Sequence, residues 1–444
     1  MKAKALLLFI SFACAPAVYS FGQVNCQAST KLVCQLPISA LTLATNTIGN
    51  APGVSSITAI GIADNIALPI NASIAAQLTQ LPIPSATVGV VSLNKKGSEV
   101  GVPFENLGPI LTDRPDTVGQ GHIFMGFSYQ HFNFNALDGV KFASLPVGFT
   151  YTLPSTGQTF YGAEVNNIGF KLDQYVGMAT FGITKKTDIS VIVPINSVSV
   201  AVSTSNFQAY LYSPTSSNCV ANPAVTGNCY GTFSSPGTVT TAGTASGLGD
   251  VSVGVKQLLL GGAGSRGAMA TGLTIRFPSG EALSYLGSGA WGGNVYGLFE
   301  YRARLAPHFK VAYQWNGNSQ IMDLQNAPHL QLPGGLQYAG GVDYKLARPL
   351  TVSVDVLGSQ SVNTPSFTVG TATLLGTAPP VATINNTTLL NNTYTSANFS
   401  GGLKWSPAPH LLLYGNVTMQ INNVGLRSDP VPLFGIAYNF KAAK

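Results

Sequence analysis

From about residue 120 the chain repeats one rhythm. Segments of alternating apolar and polar residues are joined by connections that are short, then long, then short again. Five connections are tight: Thr184–Asp188, Gly261–Ser265, Arg304–His308, Leu346–Pro349 and Ser406–Pro409. Longer stretches rich in Gly, Asn and Thr lie between them. An up-and-down barrel with short turns at one rim and long loops at the other has this rhythm. It predicts an all-β fold, an antiparallel transmembrane β-barrel of about twelve strands with a mostly irregular N-terminal segment. Strands are expected near 121–134, 164–182, 188–204, 247–260, 266–278, 291–303, 309–317, 335–346, 350–361, 395–405, 410–421 and 432–440. Twelve is even, so both chain ends fall at the same rim.

The charges test this reading. In a barrel, alternate residues face lipid and lumen, and a charge facing lipid at mid-membrane costs ~2–4 kcal/mol. Asp250, Ser252, Gly254 and Lys256 alternate with Val251, Val253 and Val255. Thr351, Ser353 and Asp355 alternate with Val352, Val354 and Val356, and Lys310 with Val311 and Tyr313 in the same way. On this pattern the expected lumen cations are Lys171, Lys256, Arg276, Arg302, Lys310, Lys345 and Lys404. The expected lumen anions are Asp173, Asp250, Glu300, Asp343 and Asp355. Their signs nearly balance, which predicts cross-strand pairing rather than strong ion selectivity.

Composition agrees. Only 9% of the 444 residues are Asp, Glu, Lys or Arg, against about 25% in ordinary soluble domains. A soluble sandwich would also alternate, but it would usually carry more charge on its wet face. Outside the N-terminus no apolar run reaches the roughly 18 residues of a membrane helix.

The first twenty residues read as a secretory signal: basic Lys2 and Lys4, an apolar run Ala5–Phe12, and Val18 and Ser20 placed for a cut before Phe21. A cut after Gly22 also fits. Cys14 invites a lipoprotein reading, but Ser11 stands where Leu is wanted. Losing Lys2 and Lys4 takes the formal charge from +6 to +4. No basic cluster occurs, so no nucleic-acid partner is expected. The remaining cysteines pair most locally as Cys26–Cys34 and Cys219–Cys229, which fits an oxidising compartment.

Residues 21–118 differ from the rest and form an expected periplasmic or lumen-plugging segment ahead of a barrel at 119–440. Ser73–Leu81 is expected to be a short helix stopped by Pro82 and Pro84. Phe104–Asp116 reads as an irregular tether, whose Asp113, Arg114 and Asp116 are placed to anchor it to the lumen charges.

Several strings resemble the outer-membrane barrel family labelled MetA-pathway of phenol degradation, a transporter-like group. They are ENLGPILTDRPDTVGQG (105–121), VNNIGFKLDQYVGMATFGITKKTDISVIVPI (165–195), SGLGDVSVGVK (246–256), TIRFPSGEALSYLGSG (274–289), GGVDYKL (340–346) and GLRSDPVPLFGIAYNF (425–440). The resemblance implies an outer-membrane barrel tied by name to the degradation of aromatic compounds, and no catalytic residues. One departure is the tail. Many barrels end on an aromatic residue read by the insertion machinery, whereas here Phe440 precedes Lys-Ala-Ala-Lys.

Enzyme signals are weak. GAGSRG at 262–267 has dinucleotide-motif spacing but joins two strands, so it reads as a turn. The histidines, His122, His131, His308, His329 and His410, are scattered and show no metal-site spacing, so neither a metal nor a cofactor is expected. No G-x-S-x-G elbow occurs, though a phospholipase could assemble Ser and His across strands. Sequons at Asn391 and Asn398 read as ordinary composition. The expectation is an outer-membrane channel, not an enzyme, with both termini periplasmic. It would pass small hydrophobic or aromatic solutes by passive uptake or efflux. Its partners would be outer-membrane lipid, the barrel-insertion machinery and the solute. The alternative is a structural or surface-interaction barrel with a closed lumen, in which 206–245 and 362–394 are adhesive loops.

Overall fold

A computed structural model describes residues 26, 29–48, 67, 70–71, 73–79, 81, 107–152, 159–213, 229–261, 265–319, 330–347, 349–374, 382–408 and 410–441. The expected signal segment lies outside these residues, as does Cys219 and with it the Cys219–Cys229 pairing. Cys26 and Cys34 form a disulfide.

Strand β1 (His122–Leu137) is followed by the short β2 (Val140–Lys141) and by β3 (Leu145–Thr152). Next come β4 (Thr159–Gly182), β5 (Thr187–Ser213), β6 (Cys229–Leu248), β7 (Ser252–Leu260), β8 (Gly267–Arg276) and β9 (Gly292–Tyr301). After β10 (Leu305–Asn316), a small hairpin of β11 (Asn318–Ser319) and β12 (Leu330–Gln331) leads to β13 (Gly334–Ala347). The chain continues through β14 (Leu350–Leu374), β15 (Ala382–Ala408), β16 (Leu411–Gln420), β17 (Leu426–Ser428) and β18 (Val431–Lys441).

Pairing is antiparallel throughout, and the sheet closes because β1 pairs with both β18 and β4. Strands β6 and β7 both pair with β5 and act as one wall strand broken at Gly249–Val251. The wall therefore has twelve positions, and each of the twelve expected strands occupies one. The five tight connections gather at one rim together with His122 and Lys441, which are paired neighbours.

Outward-facing residues form a continuous apolar belt. On β10 it runs through Leu305, Phe309, Val311, Tyr313 and Trp315, which are 54%, 48%, 38%, 57% and 39% exposed. Ten residues at ~3.3 Å each, tilted by about 40°, give a belt about 25 Å tall, the height of a bilayer-facing band. Aromatic rings edge it: Tyr301, Tyr344, Trp405 and Tyr438 near the short turns, and Tyr175, Trp291, Tyr313 and Trp315 toward the other end.

Above the belt, on the long-loop side, several expectations change. Much of 206–245 and 362–394 is strand, not loop: β5 with β6, and β14 with β15, continue as tall hairpins. There the inside is apolar. Ile168, Phe170 and Leu172 of β4 point inward and are buried, so Lys171 and Asp173 face outward. The expectation that these two line the lumen is thereby corrected. Asp173 accepts a hydrogen bond from the Tyr129 hydroxyl (2.7 Å) and pairs with His131 on the outer surface. The rule that charges point inward holds only at belt height, where the outside is apolar. Above it the outside is polar and the inside must cover a packed core. Reversing the charge at Lys171 (Lys171→Glu) is expected to change stability by less than ~0.5 kcal/mol and, in the barrel lacking residues 21–118, to leave single-channel current unaltered. An altered current would return Lys171 to the conduction path.

The core comes from the N-terminal segment. Helix α1 (Gln35–Ile48) packs Leu36, Ala40, Leu43, Ala44 and Ile48 against the inner faces of β5 and β6. Ser39 Oγ lies 2.6 Å from Thr204 Oγ1, and Thr241 donates to the Gln35 carbonyl at 2.8 Å. The sequence reading did not anticipate this helix within the N-terminal segment. Pro37 sits in the first turn, where a missing N–H costs little, and the remaining Thr and Ile residues are mediocre helix formers. Packing, not propensity, holds it. Residues 73–78 are helical, within the expected 73–81.

Candidate functional site: the obstructed lumen

Two parts of the N-terminal segment lie across the barrel interior, one near each end of the belt. The lower part, Leu107–Val118, crosses near the short turns and forms a floor. Gly108 allows its entry: φ is +77°, and a Cβ there would lie 2.4 Å from Arg114 Cδ. The Leu107 N–H donates to Thr351 Oγ1 on β14 (2.9 Å). The Lys404 ammonium on β15 donates to the Leu107 carbonyl (3.3 Å) and also to that of Pro109. Across the lumen, Lys256 on β7 donates to the carbonyls of Arg114 (3.0 Å) and Asp116 (2.6 Å), and the Val118 N–H donates to the Asp188 carboxylate on β5 (3.0 Å). The crossing is thus pinned at both walls.

Between those anchors the segment is two-sided. Ile110 and Leu111 pack with Phe124, Val176, Met178, Leu412 and Leu433, an apolar half of the wall built from β1, β4, β16 and β18. The charged half faces β9, β10 and the start of the β9–β10 turn. Arg114 Nη2 is 2.8 Å from Glu300 and 3.4 Å from Asp116, while Arg302 pairs with Asp116. Lys310 lies 3.8 Å from Asp113. His308 pairs with Asp343 (3.2 Å) and Asp355. Glu300, Asp343 and Lys404 are 0% exposed and Ile110 is 0% exposed, so among the described residues the floor is closely packed at this level.

The other expected lumen residues fall at the ends. Arg276 and Asp250 lie 3.5 Å apart near the top of the belt. Lys345 is half-buried at the short-turn rim. Sequence reasoning missed Asp188, His308 and the buried Arg427. Asp188 and His308 flank tight turns, where a polar residue reads as solvent-exposed. Their inward parity relative to Ser190 and Lys310 was the available signal.

The upper part forms a roof. Asn71 donates to the Val33 carbonyl (2.8 Å) and accepts from the Tyr285 hydroxyl (2.8 Å) in the β8–β9 connection. Burial pushes that hydroxyl above the usual tyrosine range. Gln314 of β10 donates to the Thr79 carbonyl at 3.3 Å. Ile70, Ile74 and Ala75 join the buried cluster that α1 forms with the inner wall.

Between roof and floor lies a chamber of about 240 Å³. Thr79 and Leu81 line it from above, and Leu111 and Asp113 from below. Its wall is mixed: Arg276, Lys310, Asn294 and Gln337 beside Ile192 and Leu357. Leu81 also lines two smaller cavities under the long-loop end, so the three meet at this side chain. Among the described residues no group of three or more His, Cys, Asp or Glu is arranged to hold a metal ion.

No family model matches the chain, and no curated protein does; the family resemblance set out above stands on its quoted strings alone. Among solved structures, the chain is similar to an outer-membrane channel from Pseudomonas putida F1, with 9% identity over 74% of this chain and 100% of that one and a TM-score of 0.40. It is also similar to the CymD monoaromatic hydrocarbon channel (10% identity, 80% and 97% coverage, TM-score 0.33). A third is the KdgM porin (9% identity, 71% and 99% coverage, TM-score 0.32).

Proposed function

We propose that this protein is an outer-membrane channel for the passive passage of small solutes, shut at rest by its own N-terminal segment. The observation that carries the reading is the chamber of about 240 Å³ at belt height, between the floor and the roof that the N-terminal segment lays across the lumen. A barrel that served only as a support would have no use for a void there, since unfilled interior volume forfeits packing energy. The short-turn rim, where β1 starts and β18 ends, faces the periplasm. The belt contacts outer-membrane lipid, and the barrel-insertion machinery assembles the wall. The protein is a conduit and not an enzyme. Hydrophobic or aromatic compounds enter as the solute class through the sequence resemblance.

Planar-bilayer recording with and without residues 21–118 tests this. The full-length protein is expected to be nearly silent, and the truncated barrel, shown to be folded by heat-modifiable migration on a gel, to conduct in steady steps. Ohmic steps from the full-length protein would overturn the resting closure. Silence in both forms would favour the structural reading, to which the fully buried floor also lends itself.

A further inference from the structure

The chamber has a chemical preference of its own, and Arg276 sets it. Its guanidinium is largely buried, with a side chain 14% exposed, and it faces both the chamber and the small cavity under the roof. Nη2 donates to Asn316 Oδ1 at 2.7 Å. Nε makes no hydrogen bond among the described residues. The nearby Asp250 carboxylate, 3.5 Å from Nε, is turned to other donors. It accepts from the backbone N–H groups of Gly280 (3.2 Å) and Ser288 (2.8 Å) and from the Ser288 hydroxyl. Arg276 therefore presents a planar fork of N–H donors whose charge partner is already satisfied elsewhere. Burying such donors without acceptors costs about 1–3 kcal/mol each, more on a charged group.

We propose that the chamber is a binding site for a small organic monocarboxylate, with its two oxygens on the Arg276 guanidinium and its ring or chain on the apolar wall. Three observations converge. The fork geometry of arginine suits a carboxylate bidentately. Of the described residues lining the chamber, Arg276 and Lys310 are cationic and Asp113 alone is anionic, and Asp250 behind Arg276 offsets part of that excess, so the site suits a single negative charge better than a phosphate dianion. Lys310 lies 5.0 Å over the Tyr296 ring, on the strand between it and Arg276, which gives the cationic wall an aromatic face. Leu81, Leu111, Ile192 and Leu357 supply apolar surface. Size limits the rest: a cavity of about 150 Å³ holds benzene, so 240 Å³ takes one ring with its carboxylate. The inference names the solute class of the channel proposed above and rests on that reading for its biological use.

Calorimetric titration of the detergent-solubilised full-length protein with benzoate and with benzyl alcohol, its uncharged counterpart, tests the site without requiring flux. Benzoate is expected to bind more tightly by on the order of tenfold or more. Arg276→Gln is expected to abolish that margin while leaving benzyl alcohol within about twofold, and Arg276→Lys to keep part of it. Equal affinities in the wild type overturn the proposal, as does a margin that survives in Arg276→Gln. Where Arg276→Gln does not fold, the wild-type comparison decides alone. Benzoate binding by a protein that never conducts would sink the channel and leave the site. Conduction without benzoate preference would do the reverse.

Discussion

Arg114→Glu is expected to unpin the floor and open the barrel. In the wild type the Arg114 guanidinium, 3% exposed, sits 2.8 Å from Glu300 and 3.4 Å from Asp116. Asp343, 0% exposed, belongs to the same buried charged half of the lumen. A carboxylate at position 114 would place like charges together where water does not reach. Removing one partner of a buried pair already costs ~3–5 kcal/mol, and reversal adds repulsion. The wall closes through its own strand pairing, so the strain is relieved by the crossing leaving the lumen. The expected result is a folded, heat-modifiable barrel that conducts where the wild type is silent, with residues 107–118 newly open to added protease. Adding Glu300→Arg should restore part of the closure, because it returns one opposite-sign pair to the site. A silent Arg114→Glu barrel of wild-type stability would show that these ion pairs do not hold the floor.

Val311→Arg carries the second large effect, at the outer surface. Val311 lies midway up the belt on β10, between Phe309 and Tyr313, and is 38% exposed. An arginine facing lipid at this depth is expected to lower stability by ~2–4 kcal/mol, read from urea unfolding in lipid vesicles. The neighbouring residue makes the contrast. Lys310 carries a charge at almost the same height, yet it turns inward to Asp113 and the Tyr296 ring. One step along the strand exchanges hydrocarbon for a polar chamber. A Val311→Arg protein as stable as the wild type would mean that this surface does not meet hydrocarbon, and the membrane reading would fall with it.

Much of the wall was legible before any coordinates. The string Val251–Lys256 declares its two faces, and Lys256 does point inward, against the carbonyls of Arg114 and Asp116. Asp113, Arg114 and Asp116 stand just ahead of β1, and their side chains meet Lys310, Glu300 and Arg302 across the lumen. The same parity rule failed at Lys171 and Asp173. It counted charges against apolar residues without knowing the height of each residue relative to the belt. Helix α1 was missed because Gln35–Ile48 has weak helical propensity, and its partner surface, the inner face of β5 and β6, lies more than 150 residues away in the chain.

Sequence alone determined the strand count, their order, the rim at which the tight turns gather and the face each belt residue presents. These follow from local rules: a period of two along each strand, the reach of a short turn, and the cost of a charge against hydrocarbon. Only the tertiary structure decided what fills the barrel. Which carboxylate Arg114 meets, where Arg276 aims its donors, and that an apolar interior replaces a polar one above the belt all depend on side chains brought together from distant parts of the chain. Burial energies of that kind belong to the enclosed space between walls, and no single strand carries their pattern.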